Sequence, residues 1–288
     1  MKTAFISGLI AAMMFAIPSV SAARTKAEKR VTPSKTIVTE KRTSAMNFTQ
    51  IHVSSIVMLT VEDRNDDIIV IRANENVLPH INLSVYDDKL TASLGRVIFD
   101  KVSSGGELTI EIAIPNNGRI SSVKATGAAK VDIIPHINAS TFDIDLNGAA
   151  KLGMRLTASR CTAEVSGAAK LDIDYNGGPI SLEASGAAKI NGTVEAIKSS
   201  IGCNGAVGVD FSGSSESLEL ELSGASSFHG FDFRTRSCKV EASGASNAEI
   251  FCSGALSAGA SGMSKIVYTG GCGLAHYSQS GMGKIKMK

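Results

Sequence analysis

The chain has 288 residues, room for one large β domain or two ordinary ones. Hydrophobic residues make up 43% of it but aromatic residues only 5%, with no tryptophan, so a core must be built mainly from Ala, Val, Ile and Leu. Its 28 glycines point to many tight corners, and a net charge of only +2 argues against the basic folded face that a nucleic-acid partner requires.

Residues 1–22 have the form of a secretory signal peptide. Lys2 supplies the positive start, residues 4–17 are apolar, Pro18 ends that run, and Val20-Ser21-Ala22 is a small-residue cleavage site. The apolar run is too short to span a bilayer comfortably, and no later stretch matches it. Export without an integral membrane span after signal removal is therefore expected, to the periplasm, the outer membrane or the cell surface. The first cysteine is Cys161, so a lipid anchor at a mature N-terminus has no support.

Residues 23–45 differ in composition. Arg24, Lys26, Lys29, Arg30, Lys35, Lys41 and Arg42 face only Glu28 and Glu40, with Pro33 between them, which predicts a basic flexible leash. Without it the remaining chain is mildly acidic. Residues 46–118 then read as β-rich, with candidate strands at 50–53, 57–62, 68–72, 82–86, 89–93 and 107–114. Asp87-Asp88 and Ser104-Gly105-Gly106 punctuate them as turns.

From residue 119 to 288 the sequence repeats. Nine copies of a Ser/Asn/Thr-Gly-Ala-Ala-Lys-like motif centre on Gly127, Gly148, Gly167, Gly186, Gly205, Gly224, Gly244, Gly262 and Gly281, at intervals near 19 residues. Apolar residues alternate around each glycine: four before it stand Val123, Ile144 and Leu182, two before it Leu146 and Val165, four after it Val131, Leu152 and Leu171. Period-two alternation means strands with one buried face. One copy cannot bury that face alone, so the copies must stack into a parallel β-helix of coils about 4.8 Å apart, a rod of roughly 40 Å. Parallel crossovers favour the right-handed wind. Residues 46–118 are expected to cap the N-terminal end.

The glycine permits the corner, the hydroxyl or amide residue before it bonds nearby backbone, and both small residues after it are expected to pack inside. Lys130, Lys151, Lys170, Lys189, Lys265 and Lys284 should form an outward ladder, with Asp132, Asp172 and the glutamates three before the glycine on the same surface to offset it. Cys252 and Cys272 lie 20 residues apart, close to one coil, and are expected to form a disulfide between neighbouring coils. Cys161 and Cys238 fall in an apolar column with Phe142, Ile180, Leu218 and Leu256, as core fillers.

The opening Asn47-Phe48-Thr49-Gln50-Ile51-His52-Val53, the strands at 67–73 and 108–115, and above all the serial SGAAK-type corners resemble the head GIN domain family of bacterial auto-transporter adhesins. The resemblance covers residues from about 39 to 288. It implies an exported, adhesin-like β-helix protein and brings no catalytic residues.

Parallel β-helices also carry polysaccharide lyases and hydrolases, which need converging carboxylates, with or without calcium. Here Asp143/Asp145 and Asp172/Asp174 sit two apart on strands, and His80, His136, His229 and His276 are scattered. With no CxxC pair and no clustered histidine, no zinc site is expected. No catalytic, cofactor or metal residue is assigned. A rod with repeated faces suits binding of a carbohydrate or an envelope protein by extended surface. A structural or self-associating envelope protein, including a homo-oligomer, is the alternative. Recognition is expected where the repeat breaks down: in the Gly205 to Gly244 copies, the variable connections and the N-terminal cap.

Overall fold

A computed structural model describes residues 30–43, 47–95, 98–99 and 107–288. The expected signal peptide lies outside the described residues. Strands account for 71% of the described residues, and the described helical structure is one short 3-10 turn, Leu78–His80. The chain is a β-solenoid of about nine turns with coils of about 19 residues.

The corner decides the coil. All nine repeat glycines have positive φ, from 65° at Gly281 to 111° at Gly205. Eight of them stack on the glycine of the coil before, and Gly127 on Ser55: a Cβ at Gly186 would stand 2.6 Å from the Gly167 carbonyl oxygen. The next residue's N–H donates to that same carbonyl, as from Ala187 to Gly167 and from Ala168 to Gly148, both at 2.7 Å. Glycine is thus required twice, by backbone angle and by the space the next coil occupies.

Beyond the corner the alternation sets the core. The columns four before, two before and four after the glycine are buried throughout eight copies, and only the last copy leaves Tyr277 and Gln279 exposed. Of the two small residues after the glycine, only the second turns inward. Ala129, Ala150, Ala169 and Ala188 are buried, whereas Ala128, Ala149, Ala168 and Ala187 face solvent. The expectation that both pack inside is corrected by the corner itself, which needs the first one's N–H for the coil-to-coil bond and leaves its side chain outside.

Segments between corners are also paired. Lys151–Val165 and Lys189–Gly205 run as long strands hydrogen-bonded to both neighbouring coils. Unequal repeat lengths are absorbed by register shifts at 132/136, 210/213 and 230/234. One shift carries the bulky part of the core: Phe211, Phe228 and Phe233 meet edge to face, with ring centres 6.1–6.5 Å apart.

The N-terminal region supplies coils of its own. Gln50–Val53 and Met58–Glu62 pair in parallel beneath the first repeat, and Ser55, at φ 70°, occupies the corner below Gly127. Under them lie Lys89–Leu94 and Ile110–Pro115, again parallel. Then the direction reverses: Ile81–Tyr86 pairs antiparallel with Lys89–Leu94, and Ile68–Asn74 with Ile110–Pro115. Antiparallel strands end the winding.

The outermost strand corrects the expected leash. Ile37–Thr43 pairs antiparallel with Ile68–Asn74 along its whole length, and Arg30–Val31 pairs with Ile98–Phe99. The buried Asn74 amide donates to the carbonyls of Ser34 (2.8 Å) and Glu107 (3.1 Å), and Asn76 donates to Thr32 (2.7 Å). No residue of Ile37–Thr43 is buried, so composition gives no sign of it. Backbone pairing holds it, its charges pointing to solvent as suits an edge strand.

Gly186→Ala is expected to cost about 3 kcal/mol from left-handed strain plus the clash with the coil below. Gly118 has φ +69° but nothing within 4 Å of a Cβ, so Gly118→Ala should cost about 1 kcal/mol. Urea midpoints compare the two, and equal losses would mean that the coil contact is unimportant. Separately, the Ser246 hydroxyl is buried without a hydrogen-bond partner where four other copies have alanine. Ser246→Ala should raise stability by about 1 kcal/mol, read as a higher melting temperature.

Candidate functional site

The strand entering each corner projects alternate side chains outward. In register these form one column: Lys124, Asp145, Glu164, Glu183, Gly202, Glu221, Glu241 and Gly259. Beside it runs the residue just before each glycine: Asn147, Ser166, Ser185, Asn204, Ser223, Ser243 and Ser261. Together these two columns line a groove of about 710 Å³ along the rod.

Backbone bonds fix the groove wall. Ser166, Ser223 and Ser243 each donate a hydroxyl to a carbonyl of the preceding coil, at 3.4, 3.2 and 3.3 Å. These hydroxyls tie coils together while their oxygens line the groove. The two glycines in the acidic column are also placed for a reason: a Cβ at Gly202 would run into the Glu183 carboxylate, and one at Gly259 into that of Glu241. Those carboxylates lean over the next coil.

At one end the column is neutralised, because Lys124 pairs with Asp145. Among the described residues no ion pair engages Glu164, Glu183, Glu221 or Glu241. Lys239 comes near Glu221 and Glu241, but its ion pair is with Glu219, at 2.8 Å. The groove is a row of carboxylate acceptors flanked by hydroxyl and amide groups, with no aromatic ring in its wall. Such a surface can accept hydrogen bonds from hydroxyls or from cationic side chains.

The lysines occupy the other side of the corner. Lys130, Lys151, Lys170 and Lys189 stack in one column, interrupted by Gly208, Ser227 and Asn247 and resumed by Lys265 and Lys284. Asp132 and Asp172 pair with Lys130 and Lys170, both at 2.6 Å. Desolvation opposes the charge on Asp172, but hydrogen bonds from Lys170 and Asn191 outweigh it and hold the carboxyl below its ordinary value. The glutamates do not share this face. The chain bends at the glycine between them, so the expected compensation comes from the aspartates alone.

The histidines do not converge. His229 pairs with Glu249 at 3.0 Å, His136 reaches Thr157 at 2.8 Å, His80 ends the 3-10 turn, and His276 sits on an edge strand. Among the described residues no group of three or more His, Cys, Asp or Glu side chains is placed to hold a metal ion, and no helix is long and apolar enough to cross a membrane. Cys161 and Cys203 are buried in the core, which pushes each thiol up to about 12. All five cysteines stand as free thiols in this structure, Cys252 and Cys272 among them. Cys252 stands near Cys238 and Cys272, and hydrogen bonding from Cys238 above all holds its thiol below the ordinary value despite burial. Residue counting found the pair one coil apart but missed the third thiol, which arrives through the irregular register between 235 and 237.

A search of curated proteins finds no match. Solved structures of the same fold exist. A putative adhesin from Parabacteroides merdae is 16% identical, with a TM-score of 0.67 over 90% of this chain and 99% of that one. A putative adhesin from Parabacteroides distasonis is 16% identical, with a TM-score of 0.62 over 90% and 100%. A putative lipid binding protein from Parabacteroides distasonis is 13% identical, with a TM-score of 0.64 over the same shares. At such identities the likeness concerns the fold. The family model described as "Putative auto-transporter adhesin, head GIN domain" matches residues 47–177 and 163–272, which include eight of the nine corners and most of the groove. The chain therefore belongs to the head GIN domain family of putative auto-transporter adhesins.

Proposed function

We propose that the protein is an exported, adhesin-like binding protein of the bacterial cell envelope that recognises a carbohydrate or a protein partner along its acidic groove. The observation that carries this reading is the column of four unpaired glutamates, interrupted by Gly202, beside a column of serine and asparagine. Two pairs of neighbouring coils, broken by Gly202, offer the same weak acceptor set about 4.8 Å apart, so a ligand with hydroxyls or positive charges along its length gains from many contacts at once. Family membership supports an adhesin-like role and, with it, export.

A binding role fits better than catalysis. Acid–base hydrolysis needs two carboxylates held in different environments, whereas this column repeats one environment coil after coil. Lipid binding, the role named for one structural neighbour, would need an enclosed apolar cavity, whereas this groove is open and sets carboxylates, hydroxyls and amides beside Val165 and Leu222. A structural, self-associating envelope protein is the remaining alternative.

Glycan arrays and a panel of basic and neutral protein surfaces, probed with the full chain and with a Glu164→Gln/Glu183→Gln/Glu221→Gln/Glu241→Gln variant, test the proposal. Binding that weakens about tenfold or more in the variant is expected, since several charge-assisted hydrogen bonds are lost. Binding of equal strength would move recognition away from the groove. No binding, together with a defined oligomer by light scattering, would favour the self-associating alternative.

A further inference from the structure

Three of the five cysteines meet at a corner remote from the glycine corners. Cys252 is the register partner of Thr235 in the coil below, and a Cβ at Gly270, in the coil above, would run into the Cys252 carbonyl. Ala255 pairs with Gly273, so Cys272 rides on the bend that directly follows Cys252 in the preceding coil. Cys238 follows the same bend one coil earlier, its sulfur 2.7 Å from the Thr235 hydroxyl. The Cys252 thiol donates to the carbonyls of Ala255 and Arg236, at 3.4 and 3.5 Å, and the Cys238 sulfur lies 3.9 Å from the Phe251 carbonyl, so each of these two side chains reaches the backbone beside the other.

Exposure grades across the cluster. Cys252 is fully buried and Cys238 nearly so, while Cys272 is half-buried and open to small molecules. Cys161 shares the Cys238 column but lies four coils away, and Cys203 stands in another column of the core.

We propose that Cys272, Cys252 and Cys238 form a thiol relay that accepts an oxidising equivalent from an external disulfide and stores it as a Cys252–Cys272 bond stapling the last coils together. Cys272, the most exposed, loses its proton to solvent and attacks the external disulfide. That S–S bond breaks, a mixed disulfide forms on Cys272, and one external thiol leaves. Cys252 then attacks the Cys272 sulfur and expels the second external thiol. Two cysteine hydrogens are lost, and the external disulfide is reduced to two thiols. Attack by Cys238 on Cys252 moves the bond inward and frees Cys272, with no further change in oxidation level.

The local chemistry suits these roles. The hydrogen bond from Cys238, with a second from Cys272, holds the Cys252 thiol below its ordinary value despite burial, which favours the thiolate needed for the second attack. Cys238 is raised by that same hydrogen bond and by burial, so it stays protonated until Cys252 is oxidised. Cys252 is shared, so only one of its two disulfides can exist at a time.

Incubating the full chain with glutathione disulfide, quenching in acid, alkylating under denaturing conditions and mapping peptides by mass spectrometry tests the relay. The expected product is a Cys252–Cys272 crosslinked peptide, with Cys161 and Cys203 alkylated and slower amide exchange over Gly273–Gln279. Cys272→Ser should slow oxidation about tenfold, because entry then depends on buried sulfur, and should yield Cys238–Cys252 instead. Cys252→Ser should leave glutathione on Cys272. Five alkylated thiols after oxidation of the unaltered chain would overturn the proposal, as would a crosslink through Cys161 or Cys203. Oxidation of Cys272→Ser at the unaltered rate would also overturn it, and neither of those two arms depends on the buried Cys252→Ser variant folding.

Discussion

The structure depends on one contact, repeated: the backbone of each corner rests on the glycine carbonyl of the corner below. The N–H after the glycine donates to the corner carbonyl below at 2.6–2.8 Å in every copy, Ser55 holding that place beneath the first, and the absent side chain lets the two backbones approach. This fixes the height of each coil and the phase of both strands leaving the corner. Side chains equivalent in the repeat then fall into columns, with Ile, Leu, Val and Ala running continuously through the inside. The core follows from register, and register follows from the corner.

The same constraint separates the charged faces. A residue three before the glycine and one three after it are six apart in sequence, yet the bend sends them to different sides of the rod. The acids of one strand gather in a groove, and the lysines of the other gather on a ridge with their own aspartates. The rod therefore has two chemically distinct long faces although the whole chain is nearly neutral. Stacking like carboxylates at coil spacing costs stability that the buried columns must offset, and two glycines in the acidic column relieve the crowding beside Glu183 and Glu241.

Much of this was legible in the amino acids. The glycine interval and the period-two alternation around it predict the coils, the buried columns and the lysine ladder, because each is a local pattern repeated often enough to stand out. The acidic column was visible as Glu164, Glu183, Glu221 and Glu241, but its face was not, since only the bend angle at the glycine decides which side it takes. Ile37–Thr43 was illegible for a different reason: no side chain in it is buried, and its place is set by backbone bonds to Ile68–Asn74. The meeting of Cys238 with Cys252 depends on how inserted residues are taken up between 230 and 237, which residue counting does not reveal.

The corner glycines contact their counterparts and little else, so one corner is interchangeable with another. A coil could be duplicated or deleted between any two of them and both new neighbours would find the seat they already fit. Length is then a quantity the lineage can change in whole steps of about 4.8 Å while the cap and the groove chemistry stay the same. Adding a coil would lengthen the rod and its groove together, one corner and one row of groove side chains at a time.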